Sequence, residues 1–379
     1  MNMTAKEQSY QQCKRCVMDT SDPDIFFDSN GYCNHCNRYF FRVSTEINPP
    51  ELRESKLSQI VDRIRLEGRG KDYDCIAGVS GGVDSTYVIY KLKELGLRPL
   101  AVHFDNGWNS ELAVANIKNA LDKLNIDLHT YVVDWEEFKD LQLSFLKASV
   151  PNCEIPTDHA ITATLIGTAK KMGVPYVVNG SNVATEGILP LSWVYYSHDL
   201  YHLKSIHKQF GRIPLKTFPT ISLTEFSLRI LAGKYRMVNL LNYIDYDKAV
   251  AVDLMKRELG WQYYGGKHYE SIYTRWYQGF YLPRKFGFDK RRAHYSALVC
   301  AGQLSREDAL EQLMNDPYCD NDVQEDTSFV LKKFSLTLEQ LEAIISAPNK
   351  KHTDYPNSRL FIEGSSWLKG YIRKRAKNI

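Results

Sequence analysis

Apolar residues along the chain switch between two spacings. Short apolar runs at 75–79, 99–104, 128–133 and 176–179 alternate with segments in which apolar side chains recur every three or four residues. The recurring sets are Val88, Ile89, Leu92 and Leu95, then Val114, Ile117, Leu121 and Leu124, then the stretch 163–172. Runs of four to six suit strands buried on both faces, and the wider spacing suits helices laid over them. Such alternation makes right-handed crossovers and predicts an α/β, doubly wound parallel sheet, with its ligand site at the carboxyl ends of the strands. A helix before it, carrying Leu57, Ile60, Val61 and Ile64 on one face, stops at Gly68-Arg69-Gly70, and Asn48-Pro49-Pro50 marks a linker. Beyond Phe218 the pattern turns mainly helical and rich in tyrosine, with capping signals at 305–308 and 337–340. The expected division is 1–50, 51–218 and 219–379.

Polar residues collect where the strands end. The first run breaks into Ser80-Gly81-Gly82, after which Val83, Asp84, Ser85 and Thr86 open a helix. Two glycines let the backbone approach a ligand closely, so that successive N–H groups and a helix N-terminus can face one anion. Hydroxyls of Ser80, Ser85 and Thr86 add donors, and Asp84 can hold Mg2+. The Lys-Ser/Thr ending of a loop built for terminal phosphoryl transfer is not there. The second run ends in His103-Phe104-Asp105-Asn106-Gly107-Trp108, and the fourth in Asn179-Gly180-Ser181-Asn182, with Glu186 close by.

Composition adds little to this. The 379 residues, 44% of them hydrophobic, suffice for two or three domains, and 48 Lys plus Arg against 45 Asp plus Glu give a net charge of only +3, which does not argue for nucleic acid. No apolar window is long enough for a membrane span and the start has no apolar leader, so a soluble, cytoplasmic protein is expected. Cysteine usage says more. Cys13, Cys16, Cys33 and Cys36 form C-x2-C-x16-C-x2-C, the spacing of a closed, structural Zn2+ site. His35 is an alternative ligand, and disulfides or bare thiols are the competing readings. Cys75, Cys153, Cys300 and Cys319 are scattered.

In the stretch 265–296, aromatic residues mixed with charged ones suggest a lined pocket. A multiply charged anion held by the loop demands cations, which nominates Lys267 with one of Lys290, Arg291 and Arg292 as phosphate ligands.

The motif order CKRCVMDT, AGVSGGVDST, PTDHAI, NGSNVATEG, LGWQYYGGKHYES and KFGFDKRRAHYS resembles the N-acetyl sugar amidotransferase family, within the PP-loop ATP-pyrophosphatase superfamily, over nearly the whole chain. The resemblance implies an ATP-dependent, AMP-forming C–N ligase. In that family an acetamido group on a bacterial surface-glycan sugar becomes acetamidino, through an O-adenylated imidate and ammonia. O-antigen lipopolysaccharide and flagellin glycosylation are the settings, with a nucleotide-linked diacetylated uronic acid or pseudaminic acid as acceptor. It further implies that Ser80, Gly81, Gly82, Val83, Asp84, Ser85 and Thr86 hold the ATP phosphates, that His103 and Phe104 flank adenine, and that Asp105, Asn179 and Gly180 make polar contacts. Asp84, Lys267 and Glu270 are the expected catalytic residues, with His268 and Glu186 as other candidate bases.

Ammonia needs a source. Asn2 leaves no N-terminal cysteine nucleophile and no cysteine sits in a nucleophile elbow, so a separate glutaminase, similar with its cyclase partner to the subunits of histidine biosynthesis, is expected. The alternative is a tRNA thiolase of the same superfamily, to which the isolated Cys75 and Cys153 offer no catalytic arrangement. A scaffold built on an inactive enzyme is a third reading, against which the intact loop stands.

Overall fold

The computed structural model describes residues 9–266, 269–317 and 320–364. After a cysteine-bearing knuckle come α1 (Asn34–Glu46), α2 (Pro50–Glu67), β1 (Cys75–Gly78), α3 (Val83–Glu94), β2 (Pro99–Asp105), α4 (Glu111–Leu124) and β3 (Leu128–Val132). Then follow α5 (Trp135–Lys147), α6 (Ile155–Met172), β4 (Tyr176–Asn179), the single turn α7 (Val183–Glu186), α8 (Leu200–Phe210), α9 (Leu223–Leu231) and β5 (Arg236–Asn239). The remainder is helical: α10 (Lys248–Leu259), α11 (Ile272–Trp276), α12 (Leu282–Phe286), α13 (Arg291–Cys300), α14 (Arg306–Met314), α15 (Asp320–Phe334) and α16 (Leu338–Ser346).

All strand pairings are parallel, in the order β3-β2-β1-β4-β5. Ala77 on the central strand lies opposite Ala101 on one side and Val178 on the other. Because side chains alternate across a strand, Cys75, Ala77, Ala101, Tyr176 and Val178 join one core with α2, α3, α4 and α10. Ile76, Leu100, Val102 and Val177 face the other way, against α6 and α9. This is the doubly wound sheet expected of the PP-loop type.

Packing, more than propensity, fixes α3, whose opening VDSTYV is rich in β-branched residues. Val88, Ile89 and Leu92 are at most 1% exposed, and each such burial contributes roughly 1.5–3 kcal/mol.

The structure departs from the sequence pattern in three places. The fifth strand, RMVN, lies beyond residue 218, so the sheet runs on past the expected boundary; four residues are too few to show a period. The helix expected at 163–172 begins at Ile155, with Pro156 in its first turn, where a missing N–H costs nothing. In the aromatic-rich stretch Tyr273, Trp276, Tyr277 and Tyr281 are core, at most 2% exposed and packed with α5 and the knuckle, and it is the polar residues between and beside them that line a cavity. Of the capping signals, 337–340 closes a full capping box, and Ser305 caps α14 by accepting from the Asp308 N–H at 2.9 Å.

Candidate active site

In the sheet, β2 and β3 lie to one side of β1, and β4 and β5 to the other, so the chain reverses direction between β1 and β4. A crevice opens there at the carboxyl ends. The loop after β1 fills its floor. Gly81 sits at φ +79°, and a Cβ on it would lie 2.4 Å from the Ala113 carbonyl oxygen. Glycine is required there twice over. The Trp261 indole N–H donates to the Gly81 carbonyl at 3.0 Å and pins the turn. Gly180, after β4, approaches the start of α3 so closely that a Cβ would meet the Asp84 backbone carbon at 2.8 Å.

Polar groups of the loop bond to one another and to two distant tyrosines. The Ser80 N–H donates to Ser85 Oγ at 3.3 Å, the Gly82 N–H donates to Ser80 Oγ at 3.3 Å, and the two hydroxyls lie 3.2 Å apart. The Val83 N–H at the helix start donates to the Tyr264 hydroxyl oxygen at 3.1 Å, a position an anion's oxygen could take. The Tyr246 hydroxyl donates to Asp84 Oδ1. Burial first, and then nearby carboxylates, push both phenols well above the usual tyrosine range, so both stay protonated donors.

A cavity of about 390 Å³ rises from this floor. Ser80, Ser85, Asn179 and Gly180 bound it at the loop, and Val102, His103 and Phe104 at the end of β2. His103 Nδ1 lies 2.9 Å from the Val79 carbonyl and Nε2 lies 3.0 Å from Asn109 Nδ2, contacts that suit a ring protonated at Nδ1. The opposite wall comes from the N-terminal half of α6 (Glu154, Thr157, Asp158) and from Glu270, Ser271, Thr274, Gln278 and Lys290. Ser271, Thr274 and Gln278 share the polar face of the helix whose other face is the aromatic core. Backbone bonds set that wall against β2: the Ser110 N–H donates to the Glu270 carbonyl and the Ile272 N–H to the Trp108 carbonyl, both at 2.9 Å. Ser80 Oγ thereby comes within 3.5 Å of Glu270 Oε1.

Other nominated residues lie elsewhere. Of the loop residues only Ser80 and Ser85 line the cavity, while Gly81, Gly82, Val83, Asp84 and the buried Thr86 do not. Asp105 turns back to accept from the Gly107 N–H at 2.9 Å and from Asn109 Nδ2, so its carboxylate serves the turn, and Asn106 and Asn109 face the cavity instead. Among the described cations only Lys290 lines the cavity, 3.2 Å from Glu154. Arg291 pairs with Asp289, and Arg292 reaches the knuckle through Asp19 and the Val17 carbonyl, each at 3.0 Å. Glu186 is outside the lining. Lys267, His268, Cys319 and the basic tail at 373–377 lie outside the described residues. Glu154, Asp158, Asn109 and Gln278 were not legible as site residues, because their meeting is set by α6 and α11 crossing the strand ends.

The sulfurs of Cys13, Cys16, Cys33 and Cys36 lie within 4.8 Å of one another, all buried. Backbone N–H groups of Arg15, Cys33 and Cys36 point at them at 3.3–3.4 Å, as thiolates require. Four buried thiolates need a cation, and this set fits tetrahedral Zn2+ with no open position. His35 is not a ligand: its Nε2 is 2.6 Å from Asp22. Cys300, on α13, comes within 3.9 Å of Cys36 Sγ. Arg306 donates to the carbonyls of Cys13 (2.9 Å) and Cys16 (3.2 Å), clamping the knuckle to α14.

The last wall of the cavity falls in a segment with known relatives. Residues 270–369 match the family model of the LPS biosynthesis protein WbpG-like, C-terminal domain. The C-terminal segment is WbpG-like. Over that segment the match bears out the family resemblance read from the motifs. An uncharacterized protein of Methanocaldococcus jannaschii is 29% identical over 173 residues, 45% of this chain and 58% of that protein. The chain thus matches little more than half the length of that curated relative. Among solved structures, NMN synthetase of Francisella tularensis (14% identity, 56% of this chain and 95% of that one) and NH3-dependent NAD synthetase of Campylobacter jejuni (15%, 55% and 93%) align with a TM-score of 0.28 each. Sheet order and loop geometry define the fold. No described helix is long and apolar enough to cross a membrane.

Proposed function

We propose that the chain is an ATP-dependent, AMP-forming amidotransferase that turns an acetamido group of a bacterial surface-glycan sugar into an acetamidino group. The observation that carries this reading is one shared cavity: Ser80 and Ser85, the two ends of the anion cradle, bound one side, and the WbpG-like segment contributes Glu270, Thr274, Gln278 and Lys290 to the facing wall. Nucleotide and acceptor would meet where the two meet.

An amide carbon resists attack because nitrogen donates its lone pair into the carbonyl. Attack of the amide oxygen on the α phosphorus of ATP forms a P–O bond and breaks the bond to the bridging oxygen, releasing pyrophosphate. Ser80 and Ser85 hydroxyls and the backbone N–H groups at the start of α3 bind that leaving group. Asp84 would hold magnesium, which would offset the charge building on pyrophosphate. Ammonia then adds to the imidate carbon, Glu270 takes a proton from it, and the C–O bond to AMP breaks. Lys290, Gln278 and Thr274 would orient the acceptor, and holding both reactants in place can supply about 7–11 kcal/mol.

We further propose that ammonia comes from a separate glutaminase with a cyclase-like partner, and that residues 1–50 form the knuckle while the nucleotide part runs past the expected boundary at 218 to include β5 and α10. The thiolase reading is disfavoured by Cys75 and Cys153, which burial pushes well above the usual thiol range.

Candidate N-acetylated sugars incubated with protein, ATP, magnesium and ammonium, and read by mass spectrometry, test the reaction. Exchange of oxygen for NH lowers the sugar mass by about one unit, with stoichiometric AMP and pyrophosphate. Release of ADP and orthophosphate would overturn the proposal.

A further inference from the structure

Residues 359–364 are helical, and the body of the protein holds one side of that turn. The Ser358 N–H donates to the buried Asp199 carboxylate at 2.6 Å, and the Tyr196 hydroxyl donates to Glu363 at 3.4 Å. Glu363 also takes the Arg359 guanidinium at 2.7 Å, one turn earlier on the same side. The other side faces out. Leu360 is 86% exposed, more than any other large apolar side chain among the described residues, and Phe361 is 61% exposed. Adjacent apolar side chains this bare mark a surface that something covers.

The sequence that follows repeats the division. At about 100° per residue, Trp367, Leu368, Tyr371 and Ile372 fall on the arc of Leu360 and Phe361, roughly 140° wide, and Arg359, Glu363, Lys369, Arg373 and Lys377 fall on the opposite arc. Residues 365–379 lie outside the described residues, and this spacing is a property of their sequence. Charge is divided too. Lys369, Arg373, Lys374, Arg375 and Lys377 give the segment 365–379 five cations and no Asp or Glu. They exceed the +3 of the whole chain, so the rest of the protein is slightly acidic.

An apolar stripe that carries Trp and Tyr and is bordered by cations suits a lipid interface. The stripe enters the acyl boundary, the amphipathic rings sit at headgroup level, and the cations meet lipid phosphate. A nucleic acid would take the cations and leave Leu360, Phe361, Leu368 and Ile372 in water. No described helix can cross a bilayer, so the contact is peripheral.

We propose that residues 359–379 form a peripheral membrane contact for anionic phospholipid, with the apolar stripe from Leu360 to Ile372 at the lipid and the basic residues on its phosphates. The contact shares no residue with the ATP cavity and does not depend on the amidotransferase reading.

Sedimentation of the full chain with vesicles tests it, in one arm of phosphatidylcholine alone and in another of phosphatidylcholine and phosphatidylglycerol in equal parts. Binding to the anionic vesicles is expected to be at least about tenfold the tighter at low salt, and to weaken by at least about tenfold when NaCl rises from about 0.05 to 0.5 M. Removal of residues 365–379 should abolish it. Leu368→Ser/Ile372→Ser, which keeps all five cations, should weaken it by at least about tenfold, a response that attraction between charges alone would not give. Both variants should retain the wild-type melting temperature, since neither changes a described residue. The proposal is overturned if the full chain leaves anionic vesicles unbound, if the truncated chain or the serine variant binds them as tightly as the wild type, or if mixed-sequence RNA displaces the vesicles at equal phosphate concentration, which would make the segment a nucleic-acid arm.

Discussion

The hydroxyl of Tyr246 donates to the carboxylate of Asp84 across 162 residues of sequence. The phenol stays protonated, because burial and the charge of Asp84 both oppose its ionisation. It therefore orients the carboxylate at the start of α3 without adding charge to the cradle.

Asp84→Ala should abolish AMP formation while leaving the folded spectrum intact, although it also removes the acceptor of the Tyr246 hydroxyl. Tyr246→Phe should lower stability by roughly 1.5–3 kcal/mol, the range for a bond to a charged group. Chemical denaturation together with an AMP assay distinguishes the two effects. An active Asp84→Ala protein would remove this residue from the mechanism.

Gly81→Ala meets two obstacles, a positive φ and the Ala113 carbonyl at 2.4 Å. Left-handed backbone alone costs about 1–2 kcal/mol for a residue with a Cβ. Loss of ATP affinity is expected along with a lower melting temperature, both measurable by calorimetry. Gly287 shares the positive φ but has nothing within 4 Å, so Gly287→Ala should cost stability and leave ATP affinity unchanged.

Glu270→Gln keeps the shape of the cavity wall and removes the proton acceptor. If Glu270 is the base for incoming ammonia, amidine formation should fall by about 10²–10⁴ while ATP affinity stays near that of the wild type. Titration of the ATP analogue alongside turnover reads both quantities, and full activity in the variant would assign the proton to another group.

The knuckle offers a contrast between metal loss and docking loss. Cys33→Ser should lower bound zinc below one ion per chain and destabilise the fold, because metal affinity is part of the folding free energy. Arg306→Ala removes donors to the Cys13 and Cys16 carbonyls and touches no sulfur, so zinc content should hold while the melting temperature falls. Elemental analysis with thermal unfolding separates them.

His159, within PTDHAI, is fully buried, and burial holds its pKa down to about 4. Its Nδ1 lies 2.7 Å from the Ser197 carbonyl, and its Nε2 accepts from the Ile221 N–H at 3.2 Å. A base whose pKa is lowered by folding contributes stability that is present above its unfolded value, near 6.5. Stability should therefore decline as the pH falls from about 6.5 to 4, by up to roughly 3 kcal/mol from this residue. His159→Gln should flatten that slope in denaturation curves collected across the range.

The alternation of apolar runs with helical spacing determined the central strands β1, β2 and β4, because strands buried on both faces are apolar throughout, whereas β3 and β5 lie at the exposed edges of the sheet. Ser80-Gly81-Gly82 and the paired cysteines were equally legible, since each closes a local geometry from neighbours in sequence. Contacts between distant segments were decided only by the tertiary structure. No spacing links Glu154 to Lys290, Tyr246 to Asp84, or Ser192 to Asp22, and no composition tells that Arg292 serves the knuckle while Lys290 serves the cavity. Side chains one or two residues apart on a helix diverge by 100° or more, so neighbours in a basic run face different partners. Which one meets the ligand depends on how α13 lies across the strand ends.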